Sequence, residues 1–183
     1  HYDQLKQTLA ELLVVSHLAS HYVNSAFEDE PSVGDSKKKP ELTITTDDYV
    51  LGVEVKSPKL REHVAQRSTR DVQLPGRMPI AGQMIEQAGG KEKVTLPRDN
   101  PIKDFLISAN EKFSEFKKEV GNFYGILVIV WDGHIYEPIT SLVSEHAGLF
   151  TENSFAKDES DKPLIFDNVD AVIIIRQLHI FVE

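Results

Sequence analysis

The chain has 183 residues, 40% of them hydrophobic and 27% charged, with a formal net charge of −9, which fits one domain over residues 1–183 with its own core. It has no cysteine, so disulfide scaffolds, thiolate zinc sites and cysteine nucleophiles are excluded. No apolar run reaches the roughly 18 residues of a membrane span, and the start shows no signal-peptide pattern; a cytoplasmic setting without membrane contact is expected.

In chain order, residues 2–23 read as a helix, with Leu5, Leu9, Leu12, Ala19 and Val23 at helical spacing. Residues 24–39 are a polar stretch with an acidic cluster followed by three lysines, expected as a loop holding at most a short strand. From residue 41 the period changes to two. Leu42 and Ile44 alternate with Glu41, Thr43 and Thr45, then Val53 and Val55 alternate with Gly52, Glu54 and Lys56, around the turn-forming Thr46-Asp47-Asp48-Tyr49. This is the pattern of a β-hairpin. Residues 58–100 are rich in Gly, Pro, Arg and Gln, with a helix expected near 80–88. Asn100-Pro101 then signals a helix start, and Ile102, Phe105, Leu106, Ala109, Phe113, Phe116 and Val120 share one face of the helix over 102–120. Phe123 to Trp131 is a nearly unbroken apolar run, the mark of a central buried strand, with Phe123, Tyr124 and Trp131 expected in the core. Asp132-Gly133 reads as a turn, His134–Glu137 as a short strand, and Asp170–Phe181 as one strand or two. The order is that of an α/β layered domain with a mixed sheet.

The hairpin carries the chemistry. With the turn centred between Asp47 and Asp48, Thr45 faces Val50, Thr43 faces Gly52, and Glu41 faces Glu54. Directly opposed carboxylates repel, so the pair needs a raised pKa or a divalent cation between them; Mg²⁺ prefers carboxylate oxygens and often takes only one or two. Lys56 lies on the same face as Glu54, and Gly52 is expected to leave an open floor beside the pair. Two carboxylates and an ammonium suit phosphodiester hydrolysis: a metal polarises the phosphoryl oxygen and acidifies water, and a lysine positions that water or stabilises developing charge.

Pro40-Glu41 followed by Glu54-Val55-Lys56 resembles the signature of the PD-(D/E)XK nuclease superfamily. The resemblance covers roughly residues 5–130. It implies a restriction-endonuclease-like core, a central mixed β-sheet flanked by helices in the order helix, three strands, helix, strand. It assigns metal binding to Glu41, Glu54 and the carbonyl of Val55, the lysine role to Lys56, and a first-helix catalytic glutamate to Glu11. Mg²⁺ is the implied cofactor, with Mn²⁺ able to substitute. The chain departs from the family in having Glu rather than Asp at position 41, and in the long stretch between the tripeptide and the second core helix.

Charge is uneven. Residues 56–77 hold six Lys or Arg against two acids, whereas residues 133–183 hold nine acids against three bases. Lys59, Arg61, Arg67 and Arg70 are therefore candidates for contacts to a phosphate backbone. His17 and His21, at i and i+4, lack an evident third zinc ligand, and Gly89-Gly90 lacks the pattern of a phosphate loop. The expectation is a Mg²⁺-dependent endonuclease acting on DNA rather than RNA, alone, as a homodimer or with a larger protein partner. The alternatives are an inactive nuclease-like binding or scaffold domain, which the acidic composition suits, and an RNA endonuclease on the same site.

Overall fold

The computed structural model describes residues 2–22, 26–29, 39–74, 81–131 and 136–176. The chain divides into two compact units. The first comprises His1–Ser57, Asp104–Ile135 and Ile165–Glu183; the second comprises Pro58–Lys103 and Tyr136–Leu164.

The first unit is an α/β layer structure. Helix α1 (Tyr2–His21) precedes strands β1 (Ala26–Asp29), β2 (Leu42–Thr45) and β3 (Val50–Lys56). The second unit contains α2 (Leu60–Thr69), β4 (Val72–Gln73), α3 (Ala81–Gln87), a 3₁₀ turn at Lys91–Lys93 and β5 (Val94–Thr95). Helix α4 (Pro101–Glu119), which enters the first unit at Asp104, leads to β6 (Phe123–Trp131); α5 (Tyr136–Val143) belongs to the second unit, and β7 (Ala171–Arg176) returns to the first. The first unit's sheet has the order β1-β2-β3-β6-β7. The β1–β2 and β2–β3 pairs are antiparallel, and β3–β6 and β6–β7 are parallel, so the sheet is mixed, with β3 at its centre and β6, expected as the central strand, between β3 and the edge strand β7.

The hairpin register is the expected one as far as β2 runs, but β2 starts at Leu42, so the expected Glu41–Glu54 strand pair is not formed. Leu42 pairs with Val53, Thr43 with Gly52, Ile44 with Leu51 and Thr45 with Val50. The turn is pinned by Thr46, whose hydroxyl accepts from the amides of Asp48 and Tyr49. One sheet face carries Leu42, Ile44, Leu51, Val53, Val55, Val128 and Val130, and α1 covers it with Ala10 and Val14, flanked by Leu13, Val15, Leu18 and Tyr22. The helix is therefore rotated from the expected face: Leu5, Leu9 and Leu12 are exposed. Small Ala10 and β-branched Val14 let the helix approach the strands closely. A polar residue, Gln7, lies in the same stripe, which masks it in the sequence.

On the opposite sheet face, Leu106, Ala109, Phe113 and Phe116 of α4 are buried as expected, whereas Phe105 and Val120 are only partly buried. Gly52 and Gly125 are paired neighbours in β3 and β6. A side chain at Gly52 would overlap the Phe123 ring, and one at Gly125 the Phe113 ring and the Asn168 backbone. The glycines form a trough for an aromatic cluster in which Phe123 lies 5.9 Å from Phe113 and 5.5 Å from Phe116, centroid to centroid. The expected open floor at Gly52 is thus closed by aromatic packing. Trp131 and Phe123 are buried, but Tyr124 is exposed, edge-on to Tyr49.

In the second unit β4 and β5 form a two-stranded parallel ladder, with Leu74, Val94, Leu142, Leu149 and Ala156 buried. Three of its elements were not expected: α2, β4 and β5. Helix α2 buries no residue and so leaves no apolar period to read. Tyr136 and Glu137 open α5 rather than ending a strand. Asp132-Gly133, His134 and the end of the expected strand beyond Arg176 lie outside the described residues.

Candidate active site

The site forms where β2 ends and β3 continues. Leu42 with Val53 is the last β2–β3 pair, so the β3 backbone beyond it needs other partners. Side chains supply them. Oε2 of Glu41 accepts the Val55 N–H at 2.7 Å. The Gln7 amide donates to the Val55 carbonyl at 2.8 Å and accepts the Ser57 N–H at 2.8 Å. Gln7 thus acts as a one-residue continuation of a neighbouring strand. Its second amide hydrogen goes to Oε1 of Glu11 at 2.7 Å.

Glu54 points toward α4 and is 0% exposed. Its Oε1 receives two ammoniums, Lys56 Nζ and Lys112 Nζ, each at 2.5 Å. Lys56 Nζ also lies 3.0 Å from Oε1 of Glu41, so the two carboxylates are bridged by one ammonium. The lysine side chains retain 21% and 23% exposure, which places the cluster at the edge of the core. Oε2 of Glu54 is buried and has no hydrogen-bond partner, as is the Ser57 hydroxyl.

Burial raises the Glu41 pKa above its ordinary value, and the Glu54 charge raises it further; Lys56 and the Val55 N–H only partly offset this. For Lys56, burial is the largest single influence and disfavours the ammonium. The charges of Glu54 and Glu41, with their hydrogen bonds, outweigh it and lift the pKa above 10.5.

The structure therefore brings together Glu41, Glu54, Val55 and Lys56, and connects Glu11 to them through Gln7. Glu11 itself does not converge on the carboxylate pair: among the described residues no group of three or more His, Asp or Glu side chains is arranged to hold a metal. Lys59, Arg61, Arg67 and Arg70 belong to the second unit, on and beside α2. Lys59 pairs with Glu62 at 3.5 Å, Arg67 Nε donates to Gln73 at 2.8 Å, and Arg70 donates to the Val94 carbonyl at 2.7 Å. His17 and His21 stack with centroids 4.4 Å apart on the exposed side of α1.

Sequence reasoning missed Lys112 and Gln7. Lys112 precedes Phe113 on the buried stripe of α4, so a lysine one position off that stripe was the available signal. Gln7 is one turn before Glu11, and only the structure shows that its amide completes β3. No protein-family model, curated protein or solved structure matches the chain.

The donor set fits a hard divalent cation in one respect. A buried carboxylate oxygen without a donor, Oε2 of Glu54, is the type of ligand Mg²⁺ takes, and Glu41 supplies a second carboxylate beside it. The Val55 carbonyl already accepts from Gln7 and keeps a second lone pair.

Proposed function

We propose that the chain is a Mg²⁺-dependent nuclease of the PD-(D/E)XK kind that hydrolyses phosphodiester bonds, in DNA before RNA. The observation that carries the reading is Glu54: a fully buried carboxylate with one oxygen held by two lysines and the other unpartnered. A stable core has no use for such a group, since unpaired buried polar atoms cost about 1–3 kcal/mol each. The element order α1, β1, β2, β3, α4, β6 supports a restriction-endonuclease-like core.

In this reading Glu41 and Glu54 would hold the cation, which would supply Lewis-acid polarisation of the scissile phosphate. Lys56, between the two acids, orients the attacking water and carries its charge toward the phosphate. Lys112 shares the Glu54 oxygen and adds a second cation on the side of α4. Glu11 sets the Gln7 amide, which fixes the backbone of residues 55–57. On α2, Arg61 and Arg67 with Lys59 and Arg70 at its ends offer contacts to a phosphate backbone. A second copy or a larger partner would supply further basic surface to an acidic chain.

A second reading is favoured by the same four charges. Two lysines balance two glutamates at the site, so the protein neutralises its own carboxylates, as an inactive nuclease-like binding or scaffold domain would. Cleavage of a labelled plasmid and a labelled RNA in Mg²⁺, Mn²⁺ or EDTA, with Glu54→Gln and Lys56→Met alongside, separates the readings. Metal-dependent product lost in both variants supports the nuclease, and the substrate that is cut identifies DNA or RNA. Cleavage that survives Glu54→Gln refutes the site. No cleavage of either substrate leaves the binding domain as the better account.

A further inference from the structure

The second unit holds a half-open cavity of about 590 Å³ whose lining comes from α2, the β4 and β5 segments and α5. That volume lies in the range of small-molecule sites, roughly 300–1,000 Å³. Its wall is mixed, polar and apolar, and some of its donors are unused. The Thr95 and Ser141 hydroxyls are buried without a partner, and so is Nε of Arg98. Both hydroxyl residues are nearly inaccessible, at 2% and 3% exposure. Three buried donors unsatisfied around one cavity are more than chance usually leaves in a folded protein.

The cations on this wall have one target chemistry. Arg98 already carries an oxyanion on one side, the Glu137 carboxylate 3.3 Å from Nη2, and its buried Nε–H has no hydrogen-bond partner. Arg67 lies on the same wall. His63 reports the local field: its pKa is lowered by burial first, then by Arg98 and Arg67, with Glu137 opposing. In a chain of net charge −9, two guanidiniums on one cavity wall, Arg67 and Arg98, favour an anion there. Planar guanidiniums with hydroxyl donors suit phosphate oxygens. The rest of the wall differs. Leu74, Leu96 and Pro97 give apolar surface, and the Gln73 amide is tied to Arg67 by its oxygen and its nitrogen.

We propose that this cavity binds a phosphomonoester carried on a sugar of nucleotide size, the phosphate on Arg98 and Arg67 and the body against Leu74 and Leu96. Free nucleotides and the 5′-phosphate end of a nucleic-acid strand share this chemistry. The site lies wholly in the unit that does not carry the hairpin, and it does not rest on the nuclease reading.

Calorimetric titration of the full chain tests it, with ribose 5-phosphate, AMP and UMP, the matching nucleosides, and a short oligonucleotide with and without a 5′-phosphate. The phosphorylated probes are expected to bind about tenfold or more tightly than their phosphate-free counterparts, and Arg98→Gln to remove most of that difference. Glu54→Gln is expected to bind like the parent, which separates this site from the hairpin. Should Arg98→Gln not fold, Arg67→Gln on the exposed helix carries the same comparison. Preference for the phosphorylated oligonucleotide over AMP supports the site and names a strand end as its source; the reverse preference names a free nucleotide. Equal binding of phosphorylated and phosphate-free probes, parent-like binding by both arginine variants, or no binding of any probe at millimolar concentration overturns the proposal.

Discussion

The double-mutant cycle between Glu54 and Lys112 bears most directly on the site, because Lys112 enters it only through the three-dimensional structure. At 2.5 Å and an effective dielectric near 20, the bare attraction of the pair is about 6–7 kcal/mol. Desolvation of a fully buried carboxylate takes back much of this, and so does repulsion between two ammoniums on one oxygen. Removal of one member of a buried pair costs about 3–5 kcal/mol. Lys112 keeps 23% exposure, so water solvates it when its partner is lost, and Lys56 still holds Glu54 when Lys112 is lost. Lys112→Met should therefore cost about 2–3 kcal/mol, and Glu54→Gln about 3 kcal/mol. The double variant should be less destabilised than the sum by about 2 kcal/mol. Urea unfolding at pH 7 measures all four corners, and the slopes must agree for the comparison to hold. Additivity within about 0.5 kcal/mol would show that the two side chains do not share a charge contact, and the four-charge site would fall with it.

Gln7→Leu should leave the Val55 carbonyl and the Ser57 N–H without partners and cost about 1–3 kcal/mol; hydrogen exchange at the Ser57 amide should speed up, and unchanged protection there refutes the strand-completing role. Gly52→Ala meets only the edge of the Phe123 ring and Phe113, whereas Gly125→Ala also meets the Asn168 backbone. Both should destabilise by about 1–3 kcal/mol, with Gly125→Ala the worse in thermal unfolding; the opposite order contradicts the packing. For His63, held below 6.5 by burial and by Arg98 and Arg67, the neutral ring is the form the fold prefers. Its contribution to stability is present above the unfolded pKa and lost as pH falls through the lower folded pKa. Its NMR titration midpoint should lie below 6.5 and rise in Arg98→Gln; a midpoint at or above 6.5 in the parent refutes the cationic wall.

Much of the first unit was legible because its elements bury one face in a regular period. The two-residue alternation from Leu42 to Lys56 and the turn at Asp47-Asp48 were enough to set the β2–β3 register, and the apolar run from Phe123 to Trp131 marked a buried strand, though the centre of the sheet is β3. Rotation of α1 was not legible. Its leucines suggest the stripe Leu5, Leu9, Leu12, but contact with the sheet goes through Gln7, Ala10 and Val14, where small size and one amide matter more than hydrophobicity. Gly52 misled in the same way. Absence of a side chain reads as open space in a sequence, yet here it makes room for Phe113 and Phe123, which lie 61 and 71 positions away. In the second unit, α2 buries nothing and β4 and β5 have two residues each, so neither period had length to show. Of the site, Glu41, Glu54 and Lys56 were readable from alternation alone; Lys112 was not, because nothing local says that a lysine on α4 meets a glutamate on β3.

The position of the charged cluster within the sheet argues for its use. Along β3 the side facing α1 carries Leu51, Val53 and Val55, all buried. The side facing α4 begins with Gly52 under the aromatic cluster and ends with Glu54 and Lys56. An apolar pair at 54 and 56 would continue the packing already present at Phe113, and replacing buried ion pairs with apolar groups is often neutral or stabilising. The charges instead sit where β2 has stopped and β3 continues, at the carboxyl end of a strand parallel to β6. In open α/β sheets that end is where ligands bind. The fold also supports this segment closely, with Glu41 and Gln7 occupying the backbone groups of residues 55–57 that β2 no longer reaches. A backbone held that firmly beside a carboxylate left half-satisfied fits the proposed reading, in which the protein would fix the geometry and leave one carboxylate oxygen for another partner.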